Sequence, residues 1–187
     1  MSAPLPATPG QTVGPFFGFA LPWAGGPHLV APGTPGAVQL HGRVLDGEGA
    51  PVPDALLELW QADGRGRPVA RQGSLRRDGH TFTGFGRAAT DGAGRYSFTT
   101  LLPGPTAPGR PPFLAIAVFA RGLLDRLLTR AYPPADEAAL AADPLLASLA
   151  PERRATLLAR EEDGGLRFDV HLQGEGETVF LAHGAGA

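Results

Sequence analysis

Few side chains in this sequence could hold a metal ion or act as a nucleophile, and those few are widely separated. The five histidines are His28, His41, His80, His171 and His183, the two tyrosines are Tyr96 and Tyr132, and there is no cysteine. Without cysteine the chain can form no disulfide, thiolate metal site or thiol nucleophile. No two histidines stand close together, and the His-x-His spacing is absent. The pattern therefore argues against an imidazole-rich metal centre in this chain.

The strongest structural signal is a short apolar run that follows a Pro/Gly-rich passage. The passage extends from Pro103 to Pro112 and leads into eight apolar residues, Phe113–Ala120, which end at Arg121-Gly122. A run this short and sharply bounded predicts a strand buried on both faces rather than a helix. We expect the rest of the sheet to be arranged around it.

Alternating apolar residues and turn signals predict the remaining elements. Longer strands are predicted at Ala37–Asp46, Ala55–Gln61 and Leu166–Gln173, and shorter ones at Arg87–Thr90, Arg95–Leu101 and Thr178–Leu181. A tight turn at Asp91–Gly94 joins the Arg87 and Arg95 strands. Pro133–Leu149 and Pro151–Arg160 predict short helical pieces, with Arg160 supporting the C-terminal end of the second.

Seven to nine strands with little helix predict a mainly β fold, an antiparallel β-sandwich with short helices. Residues 1–36 contain eight prolines and no sustained periodicity, which predicts an extended N-terminal arm. Residues 37–187 would then form a single sandwich domain. Within it, the polar stretch from Asp63 to Phe85 predicts a long surface loop.

Composition excludes several classes of partner. Charged residues make up 18% of the chain and the net charge is −2, so the chain lacks the excess of positive charge that is typical of proteins that bind nucleic acid or an anionic membrane. No apolar run approaches the roughly 20 residues that a bilayer-spanning helix needs. We expect a cytoplasmic protein, since a chain without cysteine is compatible with a reducing compartment.

Several motifs occur in the order in which one family has them. They are the Thr8–Phe17 arm, LELWQAD at Leu57–Asp63, FARG at Phe119–Gly122, TRAY at Thr129–Tyr132 and QGEGETVF at Gln173–Phe180. The sequence resembles the intradiol ring-cleaving dioxygenases, and within them the α-subunit branch of the protocatechuate 3,4-dioxygenases. The resemblance spans most of the chain and implies the sandwich of that family. It also favours a strand from Leu123 to Tyr132, where the apolar spacing alone is typical of a helix turn.

The resemblance also implies what this chain lacks. In the family two tyrosines and two histidines hold a ferric ion, and the matching positions here are Pro68, Thr106, Phe113 and Ala115. None supplies the phenolate or imidazole that this iron chemistry uses. The chain is therefore expected to bind no metal and to carry no catalytic residue, with Fe(3+) held by a partner β subunit.

The resemblance implies a substrate and the residues that meet it. Protocatechuate would bind at the interface of the α and β subunits and be cleaved with O2 to 3-carboxy-cis,cis-muconate. Thr12, Gly14 and Pro15 of the arm and Arg130 match parts of the α subunit that face the substrate. A guanidinium pairs well with a carboxylate, although without the motif Arg130 would count as a surface arginine. Arg110 matches an active-site arginine of the iron-binding subunit and is expected only to pair locally.

Two other functions stay open at this stage. An iron-dependent intradiol dioxygenase acting alone would need the ligands that are missing. A stand-alone β-sandwich binding module without catalytic activity would explain the strands, since fold alone does not fix function. That second alternative leaves the arm and Arg130 unexplained.

Overall fold

The computed structural model describes residues 14, 17–69, 77–78 and 81–182, in which the chain forms nine strands and four short helices. The strands are β1 Ala37–Leu45, β2 Leu56–Gln61, β3 Phe85–Ala89, β4 Arg95–Leu101, β5 Leu114–Phe119, β6 Leu127–Ala131, β7 Arg160–Glu162, β8 Gly165–Arg167 and β9 Val170–His171. The helices are α1 Phe17–Ala20, α2 Glu137–Ala142, α3 Pro144–Ala147 and α4 Pro151–Ala155. The predicted mainly β sandwich is confirmed.

One sheet has four strands in the order β3-β2-β5-β6, and every pair in it is antiparallel. The predicted apolar strand is β5, which lies between two neighbours, with Leu114, Ile116, Ala117 and Val118 buried. This confirms that the sheet is arranged around that run. Burial on both faces is only partly right, because Ala115 and Phe119 on the outer face are half-buried and line an open groove. Of the predicted Leu123–Tyr132 strand only β6 forms, because the chain bends at Leu124 and Asp125 before the strand begins at Leu127.

The other sheet has the order β4-β1-β8-β7, and β9 also pairs with β1. The β1–β4 and β7–β8 pairs are antiparallel, but β8 and β9 run parallel to β1. The sandwich is therefore mostly antiparallel, with two short parallel pairings that local sequence patterns did not indicate.

The predicted Leu166–Gln173 strand is interrupted in its middle. Phe168 donates its N–H to His41 O, and Phe168 O accepts a hydrogen bond from the Tyr96 hydroxyl. Gly42 permits this close approach, since a side chain there would overlap the Phe168 carbonyl. The predicted alternation still holds, because Leu166, Phe168 and Val170 are all buried. The tertiary contacts at Phe168 divide one alternating segment into β8 and β9.

Two further predictions were wrong in detail, and a third was right. Thr178–Leu181 is not a strand, because its amides bond to three separate segments instead of one neighbouring strand: Thr178 N to His171 O, Val179 N to Thr156 Oγ1 and Leu181 N to Leu128 O. The predicted turn at Asp91–Gly94 is confirmed, and the two strands that it joins, β3 and β4, lie in different sheets. Helix α4 ends at Ala155, and Arg160 begins β7 instead of supporting that helix.

The core lies between the inner faces of the two sheets. Its fully buried side chains include Leu40, Val44, Leu57, Leu59, Phe98, Leu114, Val118 and Val170. Burying each aliphatic side chain of this size contributes about 1.5–3 kcal/mol. This core fixes which residues of β2, β5 and β6 face outward, because side chains alternate along a strand.

A second hydrophobic cluster covers one end of the outer face of the four-stranded sheet. Ala131 packs in the main core, so its neighbours Arg130 and Tyr132 point outward. Tyr132 is fully buried there with Leu140, Leu146, Leu157 and Val179, and Phe113 packs against them. Helices α2 and α3 thus cover this end of the sheet and leave the rest open.

The described part of residues 14–36 contacts the sandwich at several points. Leu29 is buried in the core and donates its N–H to Thr99 O at 2.8 Å. The Arg87 guanidinium donates to Leu21 O at 2.8 Å. The division into an arm (1–36) and a domain (37–187) stays a prediction. Among the helices of the described residues, none has the length and apolar character that crossing a membrane requires.

Candidate functional site

The open part of the outer face of the four-stranded sheet forms a groove of about 490 Å³. Its lining includes Glu58 and Trp60 of β2, Ala115 and Phe119 of β5, Arg130 of β6, and Phe113 just before β5. We call it the aromatic groove. Trp60 is 47% exposed, and its ring packs against Phe85 with the two ring centroids 4.3 Å apart. The groove therefore offers aromatic surface that a flat ring could contact.

The charge of the aromatic groove is positive. Glu58 is paired with Arg87, whose Nε donates to Glu58 Oε1 at 2.9 Å, and both side chains are largely buried. Arg126 and Arg130 also line the groove, and neither forms an ion pair within the described ranges. With Glu58 neutralised, the two arginines favour an anionic ligand.

Arg130 is held at the border between the aromatic groove and the covered end of the sheet. Its guanidinium carbon lies 4.1 Å from the centroid of the Phe113 ring, which is a cation–π contact. Its Nη1 donates to Tyr132 Oη at 3.3 Å. The planar group is thus supported by a ring on one side and by a hydroxyl at one edge.

The hydroxyl of Tyr132 links Arg130 to helix α3. It donates to Asp143 Oδ1 at 3.3 Å, and that oxygen also accepts from Leu145 N at 2.9 Å and Leu146 N at 3.1 Å. Asp143 is the buried N-cap of α3. Burial raises the pKa of the Tyr132 phenol, although the adjacent Arg130 acts in the opposite direction. The phenol therefore stays protonated at neutral pH and can donate to the carboxylate.

The four positions that are predicted to match iron ligands carry side chains unsuited to that ion. Phe113 and Ala115 line the aromatic groove, whereas Pro68 and Thr106 are exposed on two loops and are not among its described lining residues. Proline, threonine, phenylalanine and alanine offer neither phenolate nor imidazole. Within the described residues, no group of three or more His, Cys, Asp or Glu side chains is placed so that it could hold a metal ion. The donor set at these positions does not fit ferric iron.

Two glycines allow the loops that carry Pro68 and Thr106 to pack against each other. Gly66 has φ +77°, and a side chain there would overlap the Pro105 carbonyl oxygen. Gly104 donates its N–H to Asp63 O at 2.9 Å, and a Cβ on it would lie 2.6 Å from Gly64 O. The backbone contact between these loops therefore requires glycine at both positions.

Two of the predicted substrate residues, Gly14 and Arg130, belong to the part of the chain that the structure describes, and of these Arg130 lies in the aromatic groove. Gly14 is exposed, its carbonyl accepts a hydrogen bond from Phe17 N at 3.4 Å, and it is not among the described residues that line the groove. Thr12 and Pro15 lie outside the described residues. Arg110 pairs locally, as expected, by donating to Ala142 O at 2.6 Å.

A larger cavity of about 650 Å³ involves β1, β4 and β8. It is lined mainly by polar side chains that bond one another: Arg167 contacts Asp169 at 2.9 Å and Glu162 at 3.1 Å. His41 lies here as an ordinary strand residue. Three arginines line this cavity, Arg43, Arg95 and Arg167, but they are outnumbered by the carboxylates of Asp91, Glu162, Asp163 and Asp169. The cavity is therefore a poorer anion site than the aromatic groove.

Sequence reasoning missed two residues of the candidate site, Tyr132 and Asp143. The spacing of Arg130 and Tyr132, two residues apart on a strand, did indicate that both face the same way. Asp143 precedes Pro144, which is a recognisable helix start. No local pattern could indicate that the side chains of Tyr132 and Asp143 contact each other.

Comparison with known proteins gives a consistent result. A family model described as Dioxygenase matches residues 14–174. The protocatechuate 3,4-dioxygenase alpha chain of Burkholderia cepacia is 42% identical over 95% of this chain and 98% of that protein. The corresponding alpha chain of Pseudomonas putida is 42% identical over 95% of this chain and 96% of its own length. The Burkholderia cepacia beta chain is 37% identical over 73% of this chain and 64% of its own.

Solved structures agree on the fold. The dioxygenase domain of a carbohydrate-binding fusion protein from Streptomyces sp. SirexAA-E superposes with a TM-score of 0.54 at 26% identity, covering 79% of this chain and 87% of that one. Hydroxyquinol 1,2-dioxygenase from Pseudomonas putida DLL-E4 gives 0.52 at 21% identity, covering 78% and 59%. The second likeness is one of fold alone.

Proposed function

This chain belongs to the intradiol dioxygenase family, and on that premise we propose that it is the alpha subunit of a protocatechuate 3,4-dioxygenase. The complete enzyme would use O2 to cleave protocatechuate to 3-carboxy-cis,cis-muconate in aromatic catabolism. The observation that carries the proposal is the 42% identity to two alpha chains, over nearly the whole length of this chain and of each of those chains. A cytoplasmic complex fits a chain without cysteine.

The proposal assigns the iron to the partner. Pro68, Thr106, Phe113 and Ala115 stand where the family has its ligands, and none provides the donors that the ion needs. Fe(3+), with its activation of the catechol towards O2, would then belong to a beta subunit. A beta chain is itself a relative of this chain, at 37% identity.

The role left to this chain is to bind and orient the substrate at the interface of the two subunits. Arg130 would pair with the carboxylate of protocatechuate, since a guanidinium and a carboxylate form charge-assisted hydrogen bonds. The exposed aromatic surface of the groove would contact the ring. Fixing the ring in one orientation is worth much of the rate enhancement in such reactions. Thr12, Gly14 and Pro15 are proposed to complete the wall from the arm.

Co-expression with a protocatechuate 3,4-dioxygenase beta chain tests the assignment. We expect a mixed oligomer on size exclusion, and O2 uptake with protocatechuate only when both chains are present. Ring cleavage by this chain alone, or failure of any beta chain to copurify, would overturn the proposal. Protocatechuate binding by the isolated chain without a complex would favour the binding module instead.

Arg130→Ala tests the substrate-binding role. A hydrogen bond to a charged group is worth about 1.5–3 kcal/mol, so we expect KM for protocatechuate to rise about 10- to 100-fold. The value of kcat should change much less, since the interaction is present before and during reaction. Arg121→Ala is the matched control, because Arg121 forms an exposed pair with Asp54 and does not line the groove. An unchanged KM in an intact complex would remove Arg130 from the site.

A further inference from the structure

The contacts of Arg130 differ from those of an ordinary surface arginine. Its guanidinium stacks on Phe113 at 4.1 Å and donates to a tyrosine hydroxyl at 3.3 Å. Tyr132 has no exposed surface, so its hydroxyl cannot follow a moving side chain into solvent. Asp143, the next residue in this chain of contacts, is 5% exposed and caps α3 through two backbone amides.

These contacts use one edge and one face of the guanidinium. An arginine has five N–H donors in a rigid fork, and one of them is directed at Tyr132. The described residues supply no other hydrogen-bond partner for Arg130, so most of the fork stays available to a ligand. A long side chain that is already fixed loses less freedom when it binds a carboxylate.

We propose that Tyr132 and Asp143 are positioning residues, which hold the Arg130 guanidinium at the border of the aromatic groove so that it meets the carboxylate of an aromatic acid in a preset orientation. This inference rests on the proposed function of Arg130. The hydroxyl accepts from Arg130 and donates to Asp143, so its direction is set by the helix cap. Burial keeps the phenol protonated, which maintains that polarity at neutral pH.

A purely structural role for the hydroxyl makes a different prediction. If it served only to satisfy Asp143, its loss would lower stability without changing the affinity for any ligand. Tyr96 provides that comparison within the same chain, since its hydroxyl is also buried and bonds a backbone oxygen, that of Phe168. Tyr96 does not line the aromatic groove.

The test uses the complex with a beta chain and compares Tyr132→Phe with Tyr96→Phe. Losing one hydrogen bond corresponds to a rise in KM for protocatechuate of about threefold to tenfold in Tyr132→Phe. We expect kcat to stay within about twofold, and the inhibition constant of catechol, which lacks the carboxylate, to stay unchanged. Tyr96→Phe should lower thermal stability and leave KM unchanged.

The Tyr132→Phe/Arg130→Ala double variant separates this inference from the proposed function. If Tyr132 acts through Arg130, the double variant has the KM of Arg130→Ala alone within about twofold. A KM raised by Arg130→Ala but not by Tyr132→Phe overturns the positioning role and leaves the proposed function intact. A KM unmoved by Arg130→Ala overturns both. Should Tyr132→Phe fail to assemble, Asp143→Ser, which can still cap α3 but has a side chain one atom shorter towards the Tyr132 hydroxyl, must raise KM in the same carboxylate-dependent way or the inference is wrong.

Discussion

Replacing Tyr96 with phenylalanine should change how the stability of this chain responds to alkaline pH. All 16 basic residues are arginines, and there is no lysine or cysteine. Arginine titrates only above about pH 12, and histidines and the terminal amine are neutral by about pH 9. Between those limits the two tyrosines are the only side chains that change charge.

Both tyrosines resist ionisation in the folded chain. Burial raises the pKa of Tyr96, and the negative charge of Asp169 raises it further. Burial likewise raises the pKa of Tyr132. Above about pH 10 the unfolded chain loses phenol protons that the folded chain keeps, so the free energy of unfolding falls as pH rises. At about pH 11 the loss is about 1.4 kcal/mol for a tyrosine that stays fully neutral when folded.

The Tyr96→Phe variant removes one of these two contributions. At about pH 8 it should be less stable than the parent by about 1–3 kcal/mol, because the buried Phe168 carbonyl loses its donor. Between about pH 9 and pH 11 that difference should shrink by about 1 kcal/mol, since Tyr96 no longer contributes to the alkaline loss. The measurement is urea unfolding at a series of pH values, followed by tryptophan fluorescence. An equal alkaline loss in parent and variant would show that Tyr96 ionises freely in the folded state and refute the reasoning.

Two further substitutions test the loops and the arm. Gly66→Ala should lower the free energy of unfolding by at least about 2 kcal/mol, because it combines a positive φ with overlap on Pro105. The control is Gly109→Ala, which has a similar φ but open space around it and should lower the free energy of unfolding by less. Equal losses of the two variants in urea unfolding would contradict the loop contact. Arg87→Ala leaves Glu58 buried without its partner and frees Leu21 O, so we expect about 3–5 kcal/mol of destabilisation and faster proteolysis near Leu21. The control is Arg121→Ala, which loses only an exposed ion pair worth about 1 kcal/mol or less. Equal destabilisation by the two substitutions would show that the contacts of Arg87 with Glu58 and Leu21 do not stabilise the fold.

Most strands could be predicted because their signals are local. A strand with one face on the core has alternating apolar residues, as in Ala37–Leu45, and a more deeply buried strand has a continuous apolar run, as in β5. Both patterns can be recognised in the sequence alone. The Leu123–Tyr132 segment shows the limit of this logic. Its apolar spacing is typical of a helix, yet Leu127–Ala131 is a strand because it pairs with β5. Tertiary pairing overrode the local pattern there.

Features that depend on contacts between distant residues were not accessible in this way. The parallel pairing of β8 and β9 with β1 joins segments more than 120 residues apart, and no periodicity encodes it. The meeting of Tyr132 with Asp143 depends on where α3 packs, which depends in turn on the second hydrophobic cluster. Arg130 was identified through its motif, whereas its support by Phe113 and Tyr132 required the three-dimensional arrangement.

The contact of Arg130 with the Phe113 ring also affects whether this chain could acquire a metal site through single substitutions. Introducing an imidazole at position 113 would remove the phenyl ring on which the guanidinium rests, and a cation bound there would repel that positive charge. On the proposed assignment, a first ligand would therefore weaken the arginine that is proposed to bind the substrate before the other ligands were in place. A chain with this contact would have to give up the support of Arg130 before it gained a metal site.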